Sequence, residues 1–471
     1  MKRITLIFGL TMIVFAATPN YVGASANSAQ HSFSGTYASG VLVTDEESPI
    51  IVTNEQLVFN IFNFPKNYDE RLEDYDAHVS ATYTFENPAD YEVTARLVFP
   101  FGRQPDYIDN DVFADIIDHY EVKVDDVAVD ATIRHTYQSY REFNILKDMD
   151  LIHDGFKSDD YYNEDLEIFA YTLKINSSYV PEYNSYQRTI IIDLPTNFSG
   201  GVIAQNYQSS KVTDQSKQIS LYVTNQVAFT VYFLAEDFPQ LEHNIRFVDD
   251  SYKANEYTGT VTMLDKRMVD FDELAYRYYD DEGLVSASDY KNAVLDKLND
   301  NFLDRPLNRF TNMTVFDLRY QLLAWYDYDL IIGAHQSVTN EVVAPLFPTI
   351  STNYKPPVFD FEYLLSPAST WSSFSDLTIK INTDFFLIES SLTKFSKTDT
   401  GYELTLDNLP DKELTFRLST DANPERTSFF GSGLLFVFIA ILLIPVLGMY
   451  LLGAITLTIY FIIRASKKRR R

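Results

Sequence analysis

"ATYTFENPADYEVTARLVFPFG", residues 81–102, decides how the chain is read. Apolar and polar residues alternate on either side of Asn87-Pro88. In the second run Val93, Ala95, Leu97 and Phe99 share one face, and Glu92, Thr94 and Arg96 share the other. That is the period of a strand with one buried side. Asn-Pro interrupts both runs as a turn signal. The stretch predicts a strand, a turn and a strand, hence a hairpin.

The same texture extends outward. Short runs rich in Tyr, Phe, Val, Ile and Thr, broken by Asn, Asp, Pro and Gly, mark an all-β chain. In "YEVKVDDVAVDATI", Asp125-Asp126 separates two alternating runs and predicts a second hairpin. Further on, Ala293, Val294, Leu298 and Phe302 recur at helical spacing, with Ser288 placed to cap the helix and Asp289 favoured by its dipole. In "AWYDYDLII", Tyr326, Tyr328 and Leu330 face one way and Asp327 and Asp329 the other. The expected fold is mainly β, with two or more β-sandwich-like modules, a short helical connector and one C-terminal transmembrane helix. The expected divisions are an N-terminal β-rich part at 27–269 with an acidic insertion at 141–167, and a helical connector at 270–313. An Ig-like sandwich at 314–420 and a linker at 421–433 follow.

The ends give an address. Lys2 and Arg3, the apolar run 4–18 and Ala24-Ser25-Ala26 form the pattern of a secretory signal peptide, residues 1–26. Residues 434–463, from Leu434 to Ile463, carry no charge and suffice to cross a bilayer. The basic tail 464–471 follows and belongs on the cytoplasmic side. The expected location is the cell membrane, single-pass, with the N-terminus outside. Residues 27–428 hold all 66 acidic residues against 30 basic ones, a net −36, which disfavours nucleic acid as a partner. The absence of cysteine excludes disulfides and thiol catalysis, and points to a bacterial surface protein.

The segment 83–133, "YTFENPADYEVTARLVFPFG … YEVKVDDVAVDATI", resembles the vault/inter-α-trypsin type β-domain. There a strand ending near an Asn precedes one ending in Phe-Pro, and a strand with an Asp-x-x-Val turn follows. Many members carry a von Willebrand A domain with a D-x-S-x-S metal motif. The nearest run here, Asp214-Gln215-Ser216-Lys217-Gln218, lacks the second serine. The C-terminal run "WYDYDLIIG … NEVVAPLFPTI … GYELTLDNLPDKELTF" resembles a stretch of uncharacterised single-pass surface proteins of Firmicutes, a resemblance that implies no activity.

Chemical motifs are sparse. The seven histidines form no i, i+4 pair for a zinc helix, and no G-x-S-x-G elbow occurs. Two S-x-x-K matches, at Ser288 and Ser391, lack the companion motifs of penicillin-binding enzymes. Glycosidase chemistry needs two carboxylates at a set separation, and sequence alone selects no pair among 66. Asp148, Asp150, Asp154, Asp159 and Asp160 of the insertion are the candidate Ca²⁺ ligands, Ca²⁺ being the one cofactor considered. The residues favour a non-enzymatic binding or scaffolding module, its partners being the membrane through Leu434–Ile463 and an envelope polysaccharide or protein. The alternatives are an accessory or sensory component of envelope assembly, and an envelope polysaccharide hydrolase.

Overall fold

A computed structural model describes residues 32–33, 37–39, 42–43, 48–63, 77–105, 107–108, 113, 117, 121–138, 152, 162, 165–178, 187–248, 258–281, 283–303, 309–318 and 320–426. The chain is mainly β. The quoted stretch forms two strands, Ala77–Glu86 and Val93–Arg103, but they do not pair with each other. The first joins an eight-stranded sheet between Ile51–Ile61 and Ser337–Pro345, and the second joins a four-stranded sheet beside Leu322–Ile332. The expected hairpin is therefore an arch that crosses from one layer to the other. Leu322–Ile332 and Ser337–Pro345 make a second arch, and the two arches pair strand for strand.

Asn87 explains why the chain turns across the layers here. It is fully buried at the top of the first arch. Its Nδ2 donates to the carbonyls of Tyr91 at 2.8 Å, Ile332 at 3.0 Å and Gly333 at 3.2 Å, and its Oδ1 accepts from the Ala89 N–H at 3.0 Å. One side chain thus satisfies the turn of its own arch and the turn of the other, where no ladder bond is available.

The first module has one core, to which Phe59 and Phe85 of the large sheet, Phe99 and Tyr326 of the four-stranded sheet, and Phe361 and Phe416 of a six-stranded sheet all contribute. Each such side chain, fully withdrawn from water, stabilises the fold by roughly 1.5–3 kcal/mol. Asp125 and Asp126 turn between Val122–Val124 and Val127–Val129 with φ of 46° and 63°, the left-handed pair that a tight hairpin requires, so that hairpin is present as read.

The second module lies between the arches in sequence. A five-stranded sheet containing Ile168–Ser177 and Ala228–Leu234 faces a four-stranded sheet of Tyr207–Thr213, Ser216–Thr224, Gln187–Leu194 and Ile245–Val248. Leu173, Val231 and Phe233 meet Ile190, Ile219 and Leu221 between them. The helix Ala287–Leu303 covers the other face of the five-stranded sheet, setting Val294, Leu298 and Phe302 against Ile168, Ala170 and Ile203. The connector is thus a packed layer. Its cap is Ser286, whose Oγ accepts from the Asp289 N–H at 3.1 Å, and not Ser288.

The expected division also changes. Strands at 322–419 do not close an Ig-like sandwich of their own. Leu377–Asn382 lies parallel to Ile51–Ile61, and Leu322–Ile332 pairs with both Val93–Arg103 and Thr132–Tyr137. The first module is built from both sides of the second. Among the described residues no helix is long and apolar enough to cross a membrane. The expected signal peptide, 1–26, and the segment 434–463 lie outside the described residues.

Asn87→Ala is expected to lower the unfolding free energy by about 3 kcal/mol, because it strands several buried backbone groups at once. Denaturant unfolding followed by tryptophan fluorescence checks this; a loss below about 1 kcal/mol would show that the arches hold without the clasp.

Candidate functional site

The fold gathers ionisable side chains at the contact between the modules. Asp327, 7% exposed, lies on Leu322–Ile332 between two arginines of flanking strands. Arg96 grips it from Val93–Arg103, Nε to Oδ1 at 2.8 Å and Nη2 to Oδ2 at 2.6 Å. Arg134, from Thr132–Tyr137, reaches its Oδ2 at 3.5 Å. The same guanidinium binds Asp289 of the helix, with Nε 3.2 and 3.1 Å from the two carboxylate oxygens and Nη2 2.9 Å from Oδ1. Asp289 also accepts from the His135 backbone N–H at 2.9 Å.

Two arginines and two aspartates form a neutral ladder running from the first module into the helical layer of the second. Arg–carboxylate forks are the strong, directional kind of ion pair, and the helix N-terminus further favours the Asp289 charge. Beside the ladder, Trp325 is fully buried and donates from Nε1 to the Thr136 hydroxyl at 2.8 Å. His135 is 6% exposed, and burial pulls its imidazole down to about 4, Asp289 opposing that shift and Arg134 adding to it.

A second polar group sits inside the first module. Glu55 is fully buried, and neither carboxylate oxygen has a hydrogen-bond partner. Burial pushes it up to about 7; the Tyr83 hydroxyl offsets part of the rise without meeting hydrogen-bond geometry. Tyr83 in turn lies 3.3 Å, oxygen to oxygen, from the Tyr363 hydroxyl. A hydrolase would need such a raised carboxyl at a water-filled cleft opposite a second carboxylate. Glu55 is sealed from water, so it has the acidity but not the access.

Asp148, Asp150, Asp154, Asp159 and Asp160 all lie outside the described residues. Among the described residues no group of three or more His, Asp or Glu side chains is placed to hold a metal ion. The sequence reading assigned Arg96 and Asp327 to polar faces and Asp289 to a helix start, without joining them. Glu55 carried a signal that the reading passed over: it shares the alternation of Leu57, Phe59 and Ile61, an inward face.

No protein-family model and no curated protein matches the chain. Among solved structures, one from Legionella pneumophila named a "putative nutrient binding protein" is similar to it at 11% identity and a TM-score of 0.34, over 83% of this chain and 72% of that one.

The ladder's coupling is measurable. In a double-mutant cycle of Arg134→Met and Asp289→Asn, each single change is expected to destabilise by about 3 kcal/mol and the pair by clearly less than the sum, since either alone leaves a desolvated charge unmatched. Additive losses would show that the contact is incidental.

Proposed function

We propose that the chain is a membrane-anchored extracellular protein, N-terminus outside and C-terminus in the cytoplasm, working as a non-enzymatic binding or scaffolding module. The observation that carries the reading is the Arg96–Asp327–Arg134–Asp289 ladder. It holds one module on the other in a fixed arrangement, as a scaffold requires. The last described strand, Glu425–Arg426, pairs with Tyr354–Lys355 of the first module shortly before Leu434, so an anchor there would hold the first module close to the bilayer. Exposed Tyr91, Tyr222 and Tyr320 supply the flat rings that saccharides and protein loops stack on. The ligand class we assign is an envelope polysaccharide or protein.

Protease added to intact cells is expected to digest the chain down to a small fragment containing Leu434 to Arg471. The full-length chain, solubilised in detergent, is expected to retain envelope polysaccharide or protein and release it unchanged. Complete protection from external protease would overturn the topology. Shortened saccharides released by the purified chain would overturn the non-enzymatic reading.

A further inference from the structure

The strand Gly259–Val269 ends the five-stranded sheet of the second module. It pairs with Ile168–Ser177 on one side, and among the described residues nothing pairs with its other edge. It is eleven residues long, and no side chain from Gly259 to Met268 is buried. Such an edge offers a row of backbone donors and acceptors to a further strand. Two of its exposed side chains are large and apolar, Leu264 at 52% and Met268 at 62% exposure. The register against Ile168–Ser177 shifts between Met263 and Asp265, which leaves Leu264 without a partner across the ladder. Lys266 is turned back onto its own copy: its Nζ donates to Asp237 Oδ2 at 2.8 Å and lies 5.1 Å from the centre of the Tyr171 ring. Asp265 and Arg267 flank it on the opposite face, across from Thr172 and Ala170, with Arg267 Nε 3.7 Å from Asp265 Oδ2. We propose that two copies of the chain dimerise edge to edge along Gly259–Val269, antiparallel about a two-fold axis at Lys266.

The side chains of the edge select that register. In an antiparallel pair of identical strands the two-fold axis stands normal to the sheet, so one residue faces its own copy at the axis. Centred on Asp265 or Arg267, identical charges face each other, which is destabilising. Centred on Met263 or Leu264, the Asp265 carboxylate faces the apolar Val261 or Met263. Centred on Lys266, Asp265 of each copy faces Arg267 of the other, and Leu264 of each faces Met268 of the other. Opposite charges directly across a strand pair stabilise it, and the two exposed apolar side chains cover one another. The two Lys266 side chains that meet at the axis are each neutralised by Asp237 of their own copy. Charges and a bulge on an edge strand act against indiscriminate pairing. Here they admit one self-complementary arrangement, in which the five-stranded sheet continues from one copy into the next.

The test uses the full-length chain in detergent, its mass followed by native mass spectrometry over a dilution series. The unsubstituted protein is expected to be a dimer. Asp265→Arg sets arginine against arginine at both pairs, and Arg267→Asp sets aspartate against aspartate. Each variant alone is therefore expected to raise the dimer dissociation constant by at least about tenfold. An equimolar mixture of the two variants matches opposite charges at both pairs and is expected to recover the dimer as the mixed species, which also shows that both variants fold. The chain has no cysteine, so Lys266→Cys places a single thiol at the axis, opposite its own copy. Oxidation is expected to link that variant into a covalent dimer and to leave Thr260→Cys, far from the axis, as a monomer. Should a charge variant not fold, the Lys266→Cys crosslink decides alone. A monomer at every concentration, a dimer that survives either charge reversal, or no crosslink at Lys266→Cys would overturn the proposal.

Discussion

The amide of Asn87 is the constraint on which the first module depends. It joins the turn of one arch to the carbonyls of Ile332 and Gly333 in the turn of another, 245 residues away in the case of Ile332. Neither arch can bury its apolar faces alone. Ala77–Glu86 needs Ser337–Pro345 beside it in one layer, and Val93–Arg103 needs Leu322–Ile332 in the other. The two must therefore meet across the whole second module. Closing so long a loop carries an entropic cost, but that cost grows only logarithmically with length. Within the second module, Ser216–Thr224 pairs with the preceding strand Tyr207–Thr213 and with Gln187–Leu194 in one sheet. Residues 137 and 322, on either side of the second module, lie at adjacent strand positions, Tyr137 pairing with Leu322.

The helix Ala287–Leu303 then has two duties. Its apolar side completes the second module, and its first turn presents Asp289 to the first. The ladder that results is partly desolvated. Replacing such a pair by well-packed apolar residues is often neutral or even stabilising, so its contribution is better understood as geometric. An apolar contact would let the helix slide along the sheet end. A guanidinium held by two carboxylates, one from each module, admits a single arrangement.

The fold was legible as far as alternation reaches. Alternation identifies which residues of a strand face a core, and it did so for Val93–Arg103, for Leu322–Ile332 and for the inward helix positions Val294, Leu298 and Phe302. It does not say which strand lies alongside. A hairpin and an arch have the same alternation and differ only in where the turn sends the chain, and here that is set by an amide whose acceptors at Ile332 and Gly333 are remote in sequence. The turn at Asp125-Asp126 was legible because its geometry is local, two left-handed residues between strands that pair directly. The C-terminal strands look self-sufficient for the same reason: counted locally they suffice for a sandwich, and only tertiary pairing reveals that Leu377–Asn382 belongs beside Ile51–Ile61. The charged ladder was hidden because its four members come from four segments, each ordinary in its own context. Glu55 was readable in principle, since position on an inward face is a sharper signal than crowding of acids in a loop.

Buried polar groups follow the same need to join distant segments. Among the described residues, the wholly buried polar side chains are Glu55, Asn87, Asn340 and Ser419, and all four belong to the first module. Three of them bridge segments that are not neighbours in sequence. Asn87 reaches Ile332, Asn340 donates from Nδ2 to the Lys123 carbonyl at 3.1 Å, and Ser419 donates to the Pro357 carbonyl at 3.0 Å. Asn340 also accepts from the Tyr328 hydroxyl at 2.8 Å, tying the two strands of the second arch across the layers. A one-residue slip in any of these pairings would turn an apolar face outward and also strand a buried amide or hydroxyl. The second module also pairs segments remote in sequence, Gly201–Ala204 with Phe310–Asn312 and Ile168–Ser177 with Gly259–Val269, and there too a buried amide bridges distant segments: Asn299 donates from Nδ2 to the Tyr162 carbonyl at 2.8 Å and accepts at Oδ1 from the Tyr162 N–H at 3.0 Å. Buried polar side chains thus recur where distant segments must select one register among several.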